Sequence, residues 1–442
     1  MRTILFCFLA LGLGGLVLVG GCASSEEAGT EGEADSTETR RRGSNTPDRT
    51  LGPDLAPQRD GVRTVQLYRG SDERSLPVTS LRSGEPLTLE FDVMEQEGRP
   101  LTVHFYHADR EWNRDLSPNQ YLESYRDDNL VEYRPSQGTT VPYVHYTYQF
   151  PNDDIRFRLS GNYVLRVSER GREEEVLFER AFFVTDEAGS LDLGSESIVT
   201  PGQRQPSVRP MARFNPPANL RGDPFGYTAC FVRNGRLPDT RCEDRPLLSQ
   251  QPRLAFELDR GRAFDPTTAD YTVDLSNLRA GPKIERTDRT VTPFRVLLEP
   301  DYARFSGRSL DAFLNGQILV REVLPGYSNP ERTAEYVRTT FAFVPPEERP
   351  LAGGVVVAGS FSGMSAERGT EMEWRPARAR YEGEVLLKQG YYQYFYEASD
   401  PLLQKTVRES QSRLQSTYTT FLYYEDTSVS TDRLLRVNSF RQ

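Results

Sequence analysis

Three histidines, His104, His107 and His145, are the residues of this sequence best suited to acid–base or metal chemistry. His104 and His107 lie three residues apart in a segment with the alternation of a strand, so their side chains should point to opposite faces and cannot share one metal ion. His145 lies among three tyrosines, where a packed imidazole is the favoured interpretation. The histidines therefore predict neither a catalytic residue nor a metal site.

Carboxylates and a serine string offer two other kinds of chemistry. The pairs Asp127-Asp128 and Asp153-Asp154 have the oxygens that calcium binds, but neither has the ligand spacing of a known calcium loop. A nucleophile elbow requires Gly-x-Ser-x-Gly, and the string at 359–363 has Phe361 at its centre. The sequence predicts a non-enzymatic protein without a cofactor. The alternative, a hydrolase with an unrecognised site, requires a cleft that holds a perturbed acid, base or nucleophile.

Length and composition restrict the possible classes of protein. A chain of 442 residues exceeds what one hydrophobic core usually organises, so two or three compact units are expected. Thirty prolines, 34 glycines and 11% aromatic residues favour strands and turns over long helices. The net charge of −10 argues against nucleic acid as a partner, and no motif predicts a small-molecule substrate.

The N-terminus predicts export. Residues 1–21 combine an early arginine with an apolar run from Ile4 to Val19 and two glycines, and Cys22 follows. This is the outline of a secretory signal, and it resembles a bacterial lipoprotein signal, in which the cysteine is acylated after cleavage. Residues 22–60 are polar and charged, which predicts a disordered linker between lipid and body.

Alternating apolar and polar residues, the pattern of half-buried strands, dominate the chain after this linker. Leu87–Val93 is the clearest example. The pattern predicts an all-β fold of tandem immunoglobulin-like β-sandwich domains. We expect a first domain at 61–186, a middle β-rich domain at 187–346 and, after a proline-rich linker, a C-terminal β-sandwich at 347–442.

Two cysteines are candidates for a disulfide. Once Cys7 is removed with the signal and Cys22 is acylated, Cys230 and Cys242 remain, and an oxidising compartment favours their pairing. If Asn234-Gly235 forms a two-residue hairpin turn, Cys230 faces position 239. Cys242 would then have to curl back to reach it.

The C-terminal domain loosely resembles sandwich modules that bind glucans, through the segment 357–361 and the run that ends at Tyr396. Such modules use exposed aromatic side chains to stack on sugars. Trp374 is the candidate for that contact, and Tyr392, Tyr394 and Tyr396 share one strand face. Glycan binding by a surface lipoprotein is therefore an alternative function, and it requires that these aromatic side chains be exposed.

Several short motifs are spread from the first domain to the last strand segments. In the first domain they are ArgThrValGlnLeuTyrArgGly at 63–70, SerLeuProVal at 75–78, AspLeuSerPro at 115–118, ValHisTyr at 144–146, PheProAsnAspAsp at 150–154 and SerGlyAsnTyr at 160–163. Later motifs are LeuAspLeuGly at 191–194, LeuLeuLysGlnGlyTyrTyrGlnTyr at 386–394 and AspArgLeuLeu at 432–435. In combination these motifs resemble those of the plug proteins of the type IX secretion system.

The resemblance implies a protein that binds the periplasmic mouth of the very large outer-membrane translocon barrel and closes it when no substrate is passing. Its expected location is the cell envelope, anchored to the outer membrane through acylated Cys22 with the body facing the periplasm. The anchor departs from the family's usual form, but a lipid would keep a plug close to its barrel.

Overall fold

The computed structural model of the protein describes residues 52–53, 55–82, 85–114, 116–199, 206–250, 252–265, 270–302, 314–323, 329–351, 353–400 and 416–442. Cys22 and the predicted signal lie outside these residues. The fold is all-β, as predicted. Within the described residues, no helix is long and apolar enough to cross a membrane.

The first domain is a sandwich of two sheets. Its strands are β1 (Val62–Arg69), β2 (Val78–Ser80), β3 (Leu87–Val93), β4 (Leu101–Ala108), β5 (Asp127–Leu130), β6 (Tyr133–Pro135), β7 (Val144–Phe150), β8 (Gly161–Glu169) and β9 (Arg172–Thr185), with helix α1 at Pro118–Tyr121. Sheet order is β1-β3-β7-β6 in one layer and β2-β9-β8-β4-β5 in the other. Leu89, Phe91, Phe105, Phe178 and Phe182 fill the space between the layers.

The rest of the chain forms the other sheets. Six strands follow the first domain: β10 (Ser190–Ile198), β11 (Ser207–Asn215), β12 (Tyr227–Arg233), β13 (Arg241–Glu243), β14 (Leu247–Gln250) and β15 (Arg253–Glu257). Next come β16 (Tyr271–Asp274), β17 (Ile284–Asp288), β18 (Phe294–Leu298), β19 (Asp301–Tyr302), β20 (Leu319–Val320), β21 (Tyr336–Val344), β22 (Val355–Gly359), β23 (Thr370–Arg375), β24 (Arg380–Lys388), β25 (Gly390–Ala398), β26 (Thr417–Asp426) and β27 (Thr431–Arg441). Helix α2 is Pro330–Thr333, and short 3-10 helices lie at Ala218–Leu220, Pro224–Gly226, Leu237–Asp239, Arg260–Arg262, Ser360–Ser362 and Pro376–Arg378.

A second sandwich combines strands that are distant in sequence. One of its sheets has the order β10-β11-β15-β14, and the other has the order β13-β12-β26-β27. β12 pairs along its whole length with β26, from Tyr227 opposite Tyr424 to Arg233 opposite Tyr418. The C-terminal strands therefore complete a sheet that begins about two hundred residues earlier.

The segment 271–398 forms one ten-stranded sheet system, which we call the large sheet. Its main path is β16-β25-β22-β23-β24-β21-β18-β17, with β19 paired to β21 and β20 paired to β25. β21 and β24 are antiparallel neighbours, although they lie on opposite sides of the proline-rich segment at 345–350. The sheets thus do not follow the predicted limit between 346 and 347, because this segment connects strands of one sheet system.

The end of the predicted linker is held against the first domain. The Ala56 N–H donates to Glu179 Oε2 at 2.9 Å, and the Arg59 N–H donates to the Leu177 carbonyl at 2.7 Å. Predicted disorder therefore does not extend to residues 55–60, because β9 offers acceptors for their backbone N–H groups.

Candidate functional site

His104 and His107 of β4 have separate partners. His104 Nε2 lies 2.9 Å from Ser168 Oγ. The His107 ring lies against Tyr121 and Tyr163, with centroids 5.9 and 5.1 Å away. Burial lowers the pKa of both imidazoles, and that of His107 falls to about 4. Neither histidine is placed to share a metal ion with the other.

His107 should make the stability of the fold depend on pH. An unfolded histidine binds a proton near pH 6.5, whereas buried His107 does so only near pH 4. The unfolded state therefore binds more protons between these values, and the fold loses stability as the pH falls. We expect His107 to lower the free energy of unfolding by roughly 2 kcal/mol between pH 6.5 and 4.5.

Urea unfolding at several pH values, with the native chain and a His107→Asn variant, measures this contribution. The variant should lose less stability than the native chain over the same pH interval, whatever its stability at pH 6.5. Equal losses in the two proteins would show that His107 does not stay neutral in the fold.

His145 belongs to a buried cluster that joins the first domain to the large sheet. Lys388 Nζ lies 2.6 Å from Asp92 Oδ2, and each side chain is 1% exposed. The Tyr336 hydroxyl donates to the same oxygen at 2.6 Å, and His145 Nδ1 lies 2.8 Å from Asp92 Oδ1. We call Asp92, His145, Tyr336 and Lys388 the ionic junction.

Opposite charges outweigh burial at the centre of the ionic junction. Burial would raise the pKa of Asp92, but Lys388 and His145 hold that pKa below its ordinary value. Burial would lower the pKa of His145, but its hydrogen bond to Asp92 raises that pKa above its ordinary value. Burial, followed by the Asp92 carboxylate, raises the pKa of Tyr336 far above its usual range. The cluster therefore favours an ionised carboxylate.

Lys388 has further partners that compensate for its loss of water. Its ammonium donates to the Glu331 carbonyl at 2.6 Å. It also lies over the ring of Tyr143, 4.2 Å from the centroid, in the geometry of a cation–π contact. These contacts offset part of the desolvation penalty that the buried ammonium incurs.

Polar contacts surround the ionic junction. Glu335 accepts hydrogen bonds from the Thr140 N–H at 2.8 Å and from the Val141 N–H at 3.2 Å. At the other end, Glu73 of the first domain pairs with Arg321 at 2.6 Å and accepts from the Val320 N–H at 3.1 Å. The contact between the first domain and the large sheet is thus rich in charged groups.

Of the ionic junction, His145 and Lys388 lie in two of the sequence motifs described above, at 144–146 and 386–394. Lys388 carried a further signal that could have been used, since it is one of three lysines in 442 residues and directly follows the apolar run Val385-Leu386-Leu387. Asp92 and Tyr336 carry no comparable signal.

The first domain meets the second sandwich through a different chemistry. A buried cluster there contains Val78, Phe183, Cys230, Val232, Phe421, Tyr423 and Leu434. The rings of Phe183 and Phe421 are 4.6 Å apart. We call this cluster the apolar junction. Burial of apolar surface contributes to this contact, together with polar contacts: the Tyr423 hydroxyl donates to Asn162 Oδ1 at 2.8 Å, and Arg433 pairs with Asp186.

The aromatic residues considered for sugar binding lie mainly inside the large sheet. Tyr392, Tyr394 and Tyr396 are buried, and the hydroxyls of Tyr394 and Tyr396 donate to Asp301 Oδ2 at 2.6 and 2.9 Å. Trp374 is half-buried against Tyr381, with centroids 5.1 Å apart. Burial of the three tyrosines counts against stacking on sugars, and a sugar contact at Trp374 stays a prediction.

Cys230 and Cys242 are joined by a disulfide in the second sandwich. They lie directly opposite each other on β12 and β13. Asn234 and Gly235 do form a turn, with φ values of +52° and +71° and the Arg236 N–H donating to the Arg233 carbonyl at 3.0 Å. The turn does not lead directly into β13, because residues 237–240 lengthen the connection, so Cys230 faces Cys242 and not position 239. Asn234 also binds the strand end at Thr417: its N–H donates to the Thr417 carbonyl at 2.8 Å, and its Oδ1 accepts from the Thr417 N–H at 3.0 Å.

Loss of this disulfide should destabilise the fold. The bond closes a short loop, with a sequence separation of 12, and removes conformational freedom from the unfolded chain. For a Cys230→Ala, Cys242→Ala variant we expect the free energy of unfolding to fall by about 2–3 kcal/mol, measured by urea denaturation. The native chain under reducing conditions should match the variant. Equal stability of the oxidised native chain and the variant would contradict this expectation.

The remaining candidates occupy ordinary surroundings. Asp128 accepts from the Tyr148 hydroxyl at 2.9 Å. In the part of the chain that the structure describes, no three His, Cys, Asp or Glu side chains gather to hold a metal ion. A cavity of about 160 Å³ is lined by nine residues, and Asp186 in its wall is paired with Arg433. This lining offers no serine, cysteine or histidine that could act as nucleophile or base.

The geometry defines an all-β scaffold of joined sheets in which buried charged groups connect one domain to another. Residues 62–186 match the family described as type 9 secretion system plug protein 1st domain. The first domain therefore belongs to the type IX secretion plug family, which confirms the resemblance predicted from the sequence. The match supports a role associated with type IX secretion and a place in the cell envelope.

Solved structures extend the likeness of fold to most of the chain. A hypothetical protein from Parabacteroides merdae ATCC 43184 is similar with a TM-score of 0.77 and 22% identity, over 88% of this chain and 99% of that chain. A Salmonella alpha-2-macroglobulin mutant has a TM-score of 0.17 and 12% identity, over 90% and 24% of the two chains. A serine-rich repeat adhesion glycoprotein from Streptococcus agalactiae has a TM-score of 0.12 and 7% identity, over 86% and 97%.

Only the first of these scores is high enough to support a shared fold. No curated protein matches the chain.

Proposed function

We propose that the protein is a non-enzymatic plug of the type IX secretion system, which binds the periplasmic mouth of the giant outer-membrane translocon barrel and closes it when no substrate is passing. The observation that supports this most strongly is the family match over 62–186. A plug acts by occupying space, so its domains must keep fixed relative positions under load.

Two features of the chain are compatible with that requirement. The first domain contacts the large sheet through the ionic junction, with Asp92 and Lys388 both buried. It contacts the second sandwich through the apolar junction. A domain held from two sides can transmit force from the barrel to the rest of the chain.

We further propose that Cys22 is acylated and anchors the protein to the outer membrane, with the body in the periplasm. The support is the order of the N-terminal residues, an apolar run followed by two glycines and the cysteine. An exported location also suits the Cys230–Cys242 disulfide, because disulfides persist in oxidising compartments.

An affinity purification from detergent-solubilised membranes tests the partner. The tagged full-length protein should recover the giant barrel, as identified by mass spectrometry. Recovery of polysaccharide-utilisation components alone, or of no partner, would refute the proposal and favour the glycan-binding alternative.

The anchor is tested in the same experiment. A Cys22→Ala variant should recover less of the barrel, whereas a Cys7→Ala variant should not, because residue 7 lies in the segment expected to be removed. Equal recovery by both variants would show that acylation of Cys22 does not assist binding.

A further inference from the structure

The two contacts of the first domain differ in what is needed to open them. Separation at the apolar junction exposes Phe183, Phe421 and their neighbours to water. This exposure raises the free energy whether or not nearby side chains are ionised. Separation at the ionic junction exposes groups that water solvates well. Polar contacts between domains are also the ones at which relative motion is expected.

We propose that the ionic junction is a conformational latch: it fixes the first domain on the large sheet, and when it opens the first domain remains attached through the apolar junction. The two contacts have different roles in this account. The latch sets the orientation of the first domain, and the apolar junction retains it. This inference concerns the chain alone and holds whether or not the protein closes a translocon.

The geometry of Asp92 makes the latch depend on both sides of the contact. His145, on β7, belongs to the first domain, as does Asp92 on β3. Tyr336 and Lys388, on β21 and β24, belong to the large sheet. When the contact opens, Asp92 loses two partners at once and retains His145. Because Tyr336 and Lys388 both donate to the Asp92 carboxylate, their two bonds to it should form together when the contact closes and break together when it opens.

Other charged and polar groups face the same cluster. Glu90 Oε1 lies 3.8 Å from His145 Nε2, and Thr147 Oγ1 lies 3.3 Å from that same nitrogen. From the large sheet, the Glu331 carbonyl accepts from Lys388. Thr64 Oγ1 lies 2.6 Å from the Tyr336 hydroxyl. With Lys388 removed, the described surroundings retain no second cation from the large sheet within hydrogen-bond reach of Asp92.

The chain contains a matched control for the chemistry of the latch. Lys283 pairs with Asp301, which is buried and also accepts from Tyr394 and Tyr396. This second cluster has the same kinds of group, a lysine, an aspartate and tyrosine hydroxyls. All of its members lie between residues 283 and 396, so it does not join the first domain to another part of the chain.

Hydrogen exchange measured by mass spectrometry on the full-length protein tests the latch. In a Lys388→Met variant we expect exchange in the four strands that carry the ionic junction, β3, β7, β21 and β24, to accelerate on the order of 100-fold. Exchange in β12 and β26, beside the apolar junction, should accelerate by a clearly smaller factor than in these four strands. A Lys283→Met variant should accelerate exchange within the large sheet and leave β3 and β7 unchanged.

Two further variants keep the test decisive if Lys388→Met does not fold. Tyr336→Phe removes one hydrogen bond to Asp92 and should produce a smaller acceleration, about tenfold, in the same four strands. An Asp92→Leu, Lys388→Met double variant replaces the charges by an apolar pair and should restore slow exchange at the contact. Acceleration that is uniform over all strands, or absent from these four strands in both Lys388→Met and Tyr336→Phe, would overturn the latch.

Discussion

Replacement of Lys388 by Met is expected to lower the free energy of unfolding by ~3–5 kcal/mol, the cost of leaving one partner of a buried ion pair without the other. Asp92 and Lys388 are each 1% exposed, so water cannot take the place of the missing ammonium. Asp92 would retain Tyr336 and His145, which explains why the expected loss is not larger. Urea denaturation at pH 7 gives the measurement.

The double variant separates the effect of an uncompensated charge from the effect of lost packing. Asp92→Leu together with Lys388→Met should lose clearly less stability than Lys388→Met alone, because no buried charge is then left without its partner. If the double variant loses as much as the sum of the two single variants, the two residues do not interact and the ionic junction does not stabilise the fold.

Replacement of Gly235 by Ala is expected to cost about 3–5 kcal/mol, since two penalties add. Gly235 has a φ of +71°, in the left-handed region that favours glycine. A Cβ atom at this position would also lie 2.0 Å from the carbonyl oxygen of Asn315. The clash arises because the Asn234-Gly235 and Asn315-Gly316 turns pack against each other. The atom that the Cβ would meet belongs to the backbone of Asn315, so the clash could be relieved only if one of the two turns moved together with the segment that follows it.

Gly171 supplies a control with the same backbone conformation. Its φ is +74°, but no atom lies within 4 Å of the position that a Cβ would take. Gly171→Ala should therefore cost only about 1–2 kcal/mol, the penalty for the left-handed region. A Gly235→Ala variant no less stable than Gly171→Ala would show that the two Asn-Gly turns are not in contact in solution.

Much of the fold could be predicted because local alternation determines strands. The segment Leu87–Val93 alternates apolar and polar residues, and β3 has these same bounds. The pairing of the strands could not be predicted in the same way. Alternation identifies a strand but not the strand with which it pairs. β26 and β27 lie in the same sheet as β12 although they are far from it in sequence, and no local sequence pattern indicates that pairing.

The ionic junction shows why the candidate site was harder to predict. By alternation, Glu90 and Asp92 belong to the polar face of β3, which in an isolated sandwich would meet solvent. Asp92 is instead fully buried, because the polar face of this sheet is covered by the large sheet. A residue with the pattern of a surface carboxylate therefore became the centre of a domain contact, and only tertiary packing distinguishes these two cases.

Closure of the barrel is the central claim, and conductance across a planar lipid bilayer tests it most directly. The purified translocon barrel, reconstituted without other components, should conduct ions, and addition of the native protein to the periplasmic side should block that current. A current that is unchanged at saturating protein, with binding verified by copurification, would contradict the account and leave a binding partner that does not close the channel.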